Sequence, residues 1–308
     1  MKNKIAIKKR IALLEYIFYG NYFYGLCTIA LSVEASLQQL YPHNPLPYYL
    51  LAFIVTVLYY TYPYARKQTI SSNNPRTRWY NRHFKLISIT QITATIILAI
   101  AAAWFLIHYY YLLHRVKLFE WMLIFIFPLV AALYYGINVL SVKYNLRKIG
   151  WLKPFIIGFT WAGFVNVYPV LYYCITNNTS YEPNFFSFLL FLKNMMFIAV
   201  LCIMFDIKDY ASDSNDSIST FVVRIGLRKT IFFVLLPLSL LGLFTFWGYA
   251  FTHQFLAGKI LLNTIPFVLL IATCYSLRKR RALLYYLIII DGLMLVKAIC
   301  GSLAMIYF

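Results

Sequence analysis

The stretch that decides the fold is Phe185-Phe-Ser-Phe-Leu-Leu-Phe-Leu-Lys-Asn-Met-Met-Phe-Ile-Ala-Val-Leu-Cys-Ile-Met-Phe205, followed at once by Asp206-Ile-Lys-Asp209-Tyr-Ala-Ser-Asp213-Ser-Asn-Asp216. The first part is long enough for a helix to cross the hydrocarbon core of a bilayer. The second part contains four of the nine acidic residues in the chain. We therefore expect these carboxylates at the membrane end of a transmembrane helix.

The spacing of the aspartates predicts a cation site. If the helix continues, Asp206, Asp209 and Asp213 lie on one face, because residues at i, i+3 and i+7 are neighbours on a helix surface. Three carboxylates on one stripe repel one another unless a cation lies among them. Oxygen ligands without cysteine or histidine suit Mg²⁺. The sequence favours a magnesium site here, and the alternative is a solvated acidic loop.

The composition indicates an all-α, polytopic membrane protein. The chain has 308 residues, of which 62% are hydrophobic, and a mean hydropathy of +0.70. Each apolar run is about as long as a transmembrane helix needs to be. We expect nine transmembrane helices in a single domain, 1–308, at the runs 11–33, 47–65, 86–107, 119–140, 152–174, 185–205, 231–251, 260–277 and 283–305.

The basic residues predict the orientation of these helices. Most of the 28 lysines and arginines fall in every second connection between the runs. The positive-inside rule then places the N-terminus and the aspartate stretch in the cytoplasm and the C-terminus outside. Topology and attraction to anionic or phosphorylated lipid explain the net charge of +19 better than nucleic acid does. Few glycines and many tyrosine, asparagine, isoleucine and lysine residues suggest a low-GC bacterium, and hence the inner membrane.

Two basic connections are candidate anion sites. One follows the second apolar run and has no acidic residue, and the other follows the fourth run. Arginine chelates phosphate through its planar guanidinium group. The charges equally suit a role in membrane topology alone, and both interpretations remain open. The candidate diphosphate-binding residues are Arg66, Lys67, Arg76, Arg78, Arg147 and Lys148.

Polar and small residues inside the runs have structural interpretations. Asn21, midway along the first run, either lines a cavity or forms hydrogen bonds between helices. Gly158, Ala162 and Gly163 permit close helix packing. The five cysteines are scattered without metal-ligand spacing, so we expect small core residues.

At the aspartate stretch the chain resembles the UbiA superfamily of intramembrane prenyltransferases. The second aspartate motif of that family runs Asp-x-x-Asp-x-x-x-Asp and continues to a threonine and a glycine at fixed distances. This chain has Ser217 where the family usually has glycine and Val222 where it usually has proline. The segment 144–148 is similar to a basic segment that follows helix four in the family, and 151–163 resembles the start of helix five. The residues in register with the motif are Asp206, Asp209, Asp213, Thr220 and Gly226.

The resemblance implies a nine-helix bundle that transfers a prenyl group. In the family, two aspartate motifs hold Mg²⁺ against the diphosphate of a prenyl donor, and the resulting allylic cation alkylates an aromatic or other hydrophobic acceptor. The resemblance gives Asp206, Asp209 and Asp213 the catalytic and metal-binding roles. The first aspartate motif, expected after helix two, has no counterpart, and Lys67 and Ser71 stand near its expected positions.

Three functions follow from the sequence. The first is a Mg²⁺-assisted prenyltransferase in which basic residues after helix two replace the missing carboxylates by neutralising phosphate directly. The second is a non-catalytic relative that binds a prenyl lipid or phospholipid, or supports a partner complex. The third is a transporter with Asp291, Lys193 and Lys297 as coupling residues.

Overall fold

The computed structural model describes residues 13–64, 75–135, 149–215, 218–279 and 281–308. All regular structure in these ranges is helical. The chain divides into two compact units. Unit 1 comprises Met1–Ala30 and Asn44–Arg115, and unit 2 comprises Leu31–His43 and Val116–Phe308.

Unit 1 is helical, and its first helical segment is interrupted at Asn21. A helical segment, 13–19, ends at this break, where Asn21 has a φ of 65°. Asparagine tolerates this left-handed conformation better than most residues because its short polar side chain can hydrogen-bond locally. The elements that follow are α1 (Tyr22–Gln38), α2 (Leu46–Thr61), α3 (Pro75–Arg82) and α4 (Phe84–His108). Helix α1 contributes its first residues to unit 1 and its last residues to unit 2.

Unit 2 is a bundle in which successive helices are neighbours. Helix α6 packs between α5 and α7, and α10 packs between α9 and α11. Helix α7 also contacts α9, which joins the two sets. The elements are α5 (Leu118–Tyr135), α6 (Lys153–Thr176), α7 (Phe185–Asn215), α8 (Phe221–Ile225), α9 (Leu227–Thr252), α10 (Ala257–Ser276) and α11 (Leu283–Tyr307).

Seven helices in the described ranges are long and apolar enough to cross a membrane, which indicates an integral membrane protein. They correspond to seven of the nine predicted runs. The run 11–33 differs because the chain breaks at Asn21. The run 119–140 is helix α5 as far as Tyr135, and its last five residues lie outside the described part. The seven are Leu46–Tyr64, Phe84–His108, Lys153–Thr176, Phe185–Ala211, Leu227–Thr252, Ala257–Ser276 and Leu283–Tyr307.

Small residues bring α6 and α7 into close contact, as the sequence predicted. A Cβ atom at Gly158 would lie 2.5 Å from the backbone oxygen of Met195, so only glycine allows this approach. Ala162 is fully buried, and Gly163 lies against the ring of Phe127. The five cysteines are free thiols, four of them buried and Cys202 partly buried.

Candidate functional site

Helix α7 carries the aspartate stretch without interruption from the membrane span to Asn215. The predicted helical continuation is therefore confirmed. Asp206 is fully buried and Asp213 is 7% exposed, whereas Asp209 is partly exposed. Burial of two carboxylates requires compensating partners, because an unpaired buried charge is costly.

Lys153 is the partner of Asp206. Its Nζ donates to Asp206 Oδ1 at 2.7 Å. The lysine is the first residue of α6, and Pro154 follows it at a position where a helix needs no backbone donor. The close packing of α6 on α7 brings this lysine beside the aspartate. The partly exposed Asp209 forms an ion pair with Lys208 at 3.0 Å.

The carboxylate of Asp206 has one buried oxygen that forms no hydrogen bond within the described part of the chain. Asp206 Oδ2 has no hydrogen-bond partner among the described residues. In the same ranges, no three His, Cys, Asp or Glu side chains are arranged to hold a metal ion. Protein ligands alone therefore do not form a cage here. An unpaired carboxylate oxygen does fit Mg²⁺, which is commonly held by one or two carboxylates together with waters and substrate phosphates.

The segment after α7 packs against the start of α6. The backbone N–H of Ile218 donates to the carbonyl oxygen of Asp213 at 2.8 Å. Thr220 caps α8 by accepting a hydrogen bond from the N–H of Val223. Gly226 has a φ of 81°, a conformation that favours glycine. The threonine and glycine of the motif thus have backbone roles in this turn.

Of the predicted diphosphate-binding residues, the structure describes Arg76 and Arg78, both on α3. The guanidinium of Arg76 donates to the carbonyl oxygen of Tyr19 at 3.3 Å and to Asn21 Oδ1, and it lies 5.1 Å from the centre of the Tyr64 ring. Arg78 is exposed. The other four predicted residues, Arg66, Lys67, Arg147 and Lys148, lie outside the described ranges.

The Arg76 cluster is a hydrogen-bonded core of unit 1. Asn21 Nδ2 donates to the hydroxyl oxygens of Thr61 and Tyr80 at 3.1 and 3.0 Å, which confirms the hydrogen-bonding interpretation of Asn21. Burial raises the pKa of Tyr80 above its ordinary value, although the charge of Arg76 offsets part of this effect. Within the described residues, the contacts of Arg76 therefore stabilise the fold of unit 1.

A second polar cluster, at the other end of α7, was not predicted. Lys297 Nζ donates to Glu34 Oε2 at 2.6 Å, and both side chains are buried. Gln38 donates to the other oxygen of Glu34 at 2.7 Å and accepts from Lys193 at 3.1 Å. The sequence signal was the presence of ionisable residues in or beside apolar runs, which singles out the lysines without identifying their partners.

Two sets of charges therefore lie on α7. The aspartates lie at its C-terminal end, where Lys153 of α6 pairs with Asp206, and Lys193 near the N-terminal end contributes positive charge. Comparison with protein-family models, curated proteins and solved structures finds no match to this chain.

Proposed function

We propose that the chain is a UbiA-like integral membrane prenyltransferase. It would transfer a prenyl group from a prenyl diphosphate to an aromatic or lipid acceptor with the assistance of Mg²⁺. The proposal includes the nine-helix bundle that the motif resemblance implies. It also includes insertion in a bacterial inner membrane, with the N-terminus and the aspartate stretch in the cytoplasm and the C-terminus outside.

One observation carries the proposal: Asp206 is buried at the end of a membrane helix, and one carboxylate oxygen has no hydrogen-bond partner in the described residues. Leaving such an acceptor unsatisfied costs about 1–3 kcal/mol, and more for a charged group. A bound cation would remove this cost. Asp209 and Asp213 lie one and two turns further along the same helix, and water and the diphosphate would supply the remaining oxygen ligands.

The chemistry requires the bond between the first prenyl carbon and the diphosphate oxygen to break, with the electron pair leaving on the oxygen. A bound Mg²⁺ would supply positive charge to the leaving diphosphate. Lys153, which already pairs with Asp206, adds a second cation that can donate to a phosphate oxygen. The acceptor then provides an electron pair to the allylic carbon and loses a proton.

Aromatic rings at this end of unit 2 suit the cationic prenyl group. The rings of Phe205 and Tyr286 lie with their centres 5.8 Å apart, and Phe155 and Phe221 form a second pair at 6.4 Å. Ring faces attract cations without offering a nucleophile strong enough to trap them. We propose that these rings border the prenyl chain.

A non-catalytic protein that binds a prenyl lipid or phospholipid is the second candidate. The observation that favours it is that Lys153 and Lys208 already pair with Asp206 and Asp209. Two of the three motif carboxylates are therefore neutralised by lysines. Such a site would bind a phosphorylated head group through these lysines without ionising the donor.

Release of diphosphate by the purified full-length chain tests the proposal. Farnesyl and geranylgeranyl diphosphate are incubated with the protein in detergent, with a pooled lipid extract as acceptor, with and without Mg²⁺. We expect Mg²⁺-dependent release that Asp206→Asn abolishes. Asp216→Asn removes the same charge from the same stretch outside the motif, and this control should retain release.

The same preparation separates the two candidates. Saturable binding of farnesyl diphosphate without release in the wild-type protein would favour the non-catalytic function. Neither release nor binding would reject both.

A further inference from the structure

Unit 2 contains a cavity of about 670 Å³ that the aspartate site does not use. Residues of α7, α9, α10 and α11 line it, together with the end of α1 and the segment before α7. Its volume lies within the range of about 300–1,000 Å³ that is usual for small-molecule sites. Lys193, one of its lining residues, is 13 positions from Asp206 on α7, which is roughly 20 Å along the helix axis.

Two lysines contribute positive charge to the cavity. Lys193 and Lys259 both line it, and no ion pair of either occurs among the described residues. Lys259 lies 4.5 Å from the centre of the Phe255 ring, a contact that leaves its charge unneutralised. The acidic residue at the lining, Glu182, is largely exposed and pairs with Lys117 at 3.7 Å. The cavity is therefore electropositive.

The polar cluster beside the cavity does not neutralise Lys193. Glu34 is the nearest carboxylate in this hydrogen-bonded chain, and Lys297 already pairs with it directly. Gln38 connects Glu34 to Lys193 but brings no charge. The cluster of Glu34, Gln38, Lys193 and Lys297 thus holds two ammonium groups and one carboxylate. An uncompensated charge at membrane depth is costly, which favours a bound anion.

The remaining lining is largely hydrocarbon and aromatic. Leu241, Phe246 and Phe267 are representative of its walls. Asn263 adds an amide on α10. A free inorganic anion would leave the apolar walls unoccupied, and an ordinary neutral lipid chain would leave the lysines without a counter-ion. A molecule with one anionic head group and a hydrocarbon chain satisfies both parts of the cavity.

We infer that this cavity binds an anionic amphiphile, with a carboxylate or phosphate head group at Lys193 and Lys259 and its hydrocarbon chain along the apolar walls. The site is separate from the aspartate stretch. It does not depend on prenyl transfer, so its test is independent of the proposed function.

Binding of defined amphiphiles to the detergent-purified full chain tests the inference. Radiolabelled oleate serves as the probe, and hexadecyl phosphate, oleyl alcohol and inorganic phosphate serve as competitors. We expect saturable oleate binding that hexadecyl phosphate displaces, whereas the neutral alcohol and the chain-free phosphate do not. Displacement by oleyl alcohol as strong as by hexadecyl phosphate would remove the charge requirement. Displacement by inorganic phosphate of equal strength would remove the chain requirement.

Substitutions of the two cavity lysines test where the head group of the amphiphile binds. Loss of a charged hydrogen bond in Lys193→Met or Lys259→Met should weaken oleate binding by about tenfold or more. Lys193→Arg keeps the charge and should keep most of the binding, which distinguishes loss of the ligand contact from misfolding. Lys279→Met removes an exposed charge outside the cavity lining and is the matched control. Unchanged oleate affinity in both cavity variants would overturn the assignment.

Discussion

Lys297 donates a hydrogen bond to Glu34 at 2.6 Å, although the two residues are 263 positions apart in the chain. Their side chains are 6% and 1% exposed. Gly301 lies against the Glu34 side chain one turn further along α11, so the carboxylate is held closely on this face. The pair joins the end of α1 to α11 within unit 2.

The stability of the protein should fall much more when one member of this buried pair is removed than when both are removed. Glu34→Gln or Lys297→Met alone leaves a buried charge without its partner, and we expect each to destabilise the protein by about 3–5 kcal/mol. The double variant removes both charges and should recover much of this loss. Unfolding of the four proteins in the same detergent provides a double-mutant cycle. Additive losses would show that the two groups are not coupled.

The contact between α6 and α7 should not tolerate a methyl group at Gly158. Since the added Cβ would lie 2.5 Å from a backbone oxygen, the two helices must separate, and we expect Gly158→Ala to lower stability by about 1–3 kcal/mol. Gly248→Ala is the matched control, because Gly248 lies within helix α9 with nothing within 4 Å of its added Cβ. That variant should be stabilised by about 0.5–1 kcal/mol. Thermal unfolding in detergent measures both, and equal effects would contradict the packing argument.

Gly226 should be required for its backbone conformation alone. Its φ is 81°, and an added Cβ would meet no atom within 4 Å. Its ψ is 161°, and this combination of φ and ψ is adopted essentially only by glycine, so Gly226→Ala should cost about 1–3 kcal/mol from backbone strain. Asparagine tolerates positive φ mainly in the left-handed helical region, so Gly226→Asn should cost about as much as Gly226→Ala. Equal stability of the alanine variant and the wild type would show that the turn relaxes to another conformation.

The sequence predicted most of the helices because apolar length is a local property that each segment carries by itself. It placed seven spans within a few residues and anticipated the close packing at Gly158. It missed the break in the first run because hydropathy does not register a single residue at positive φ, such as Asn21. It also missed the partners Lys153 and Glu34, since pairing across helices depends on tertiary packing rather than on spacing along the chain.

Lys153 provides a test of whether the aspartate end accepts a divalent cation. Removal of its ammonium group in Lys153→Met leaves the buried carboxylate of Asp206 without its partner, and we expect a loss of about 3–5 kcal/mol. If the site accepts Mg²⁺, millimolar MgCl₂ should recover part of this loss, because a ligand that binds the folded state stabilises it.

The double variant Lys153→Met/Asp206→Asn separates a bound cation from a general salt effect. It removes both charges, so it should be more stable than Lys153→Met without Mg²⁺ and should respond little to added Mg²⁺. Choline chloride at matched ionic strength controls for screening. If Mg²⁺ stabilises Lys153→Met no more than choline does, Lys153 is the natural cation of this carboxylate. That result would favour the non-catalytic lipid-binding function. Recovery specific to Mg²⁺ would mean that the Asp206 carboxylate accepts a divalent cation once the ammonium group is removed, which would favour the proposed enzyme.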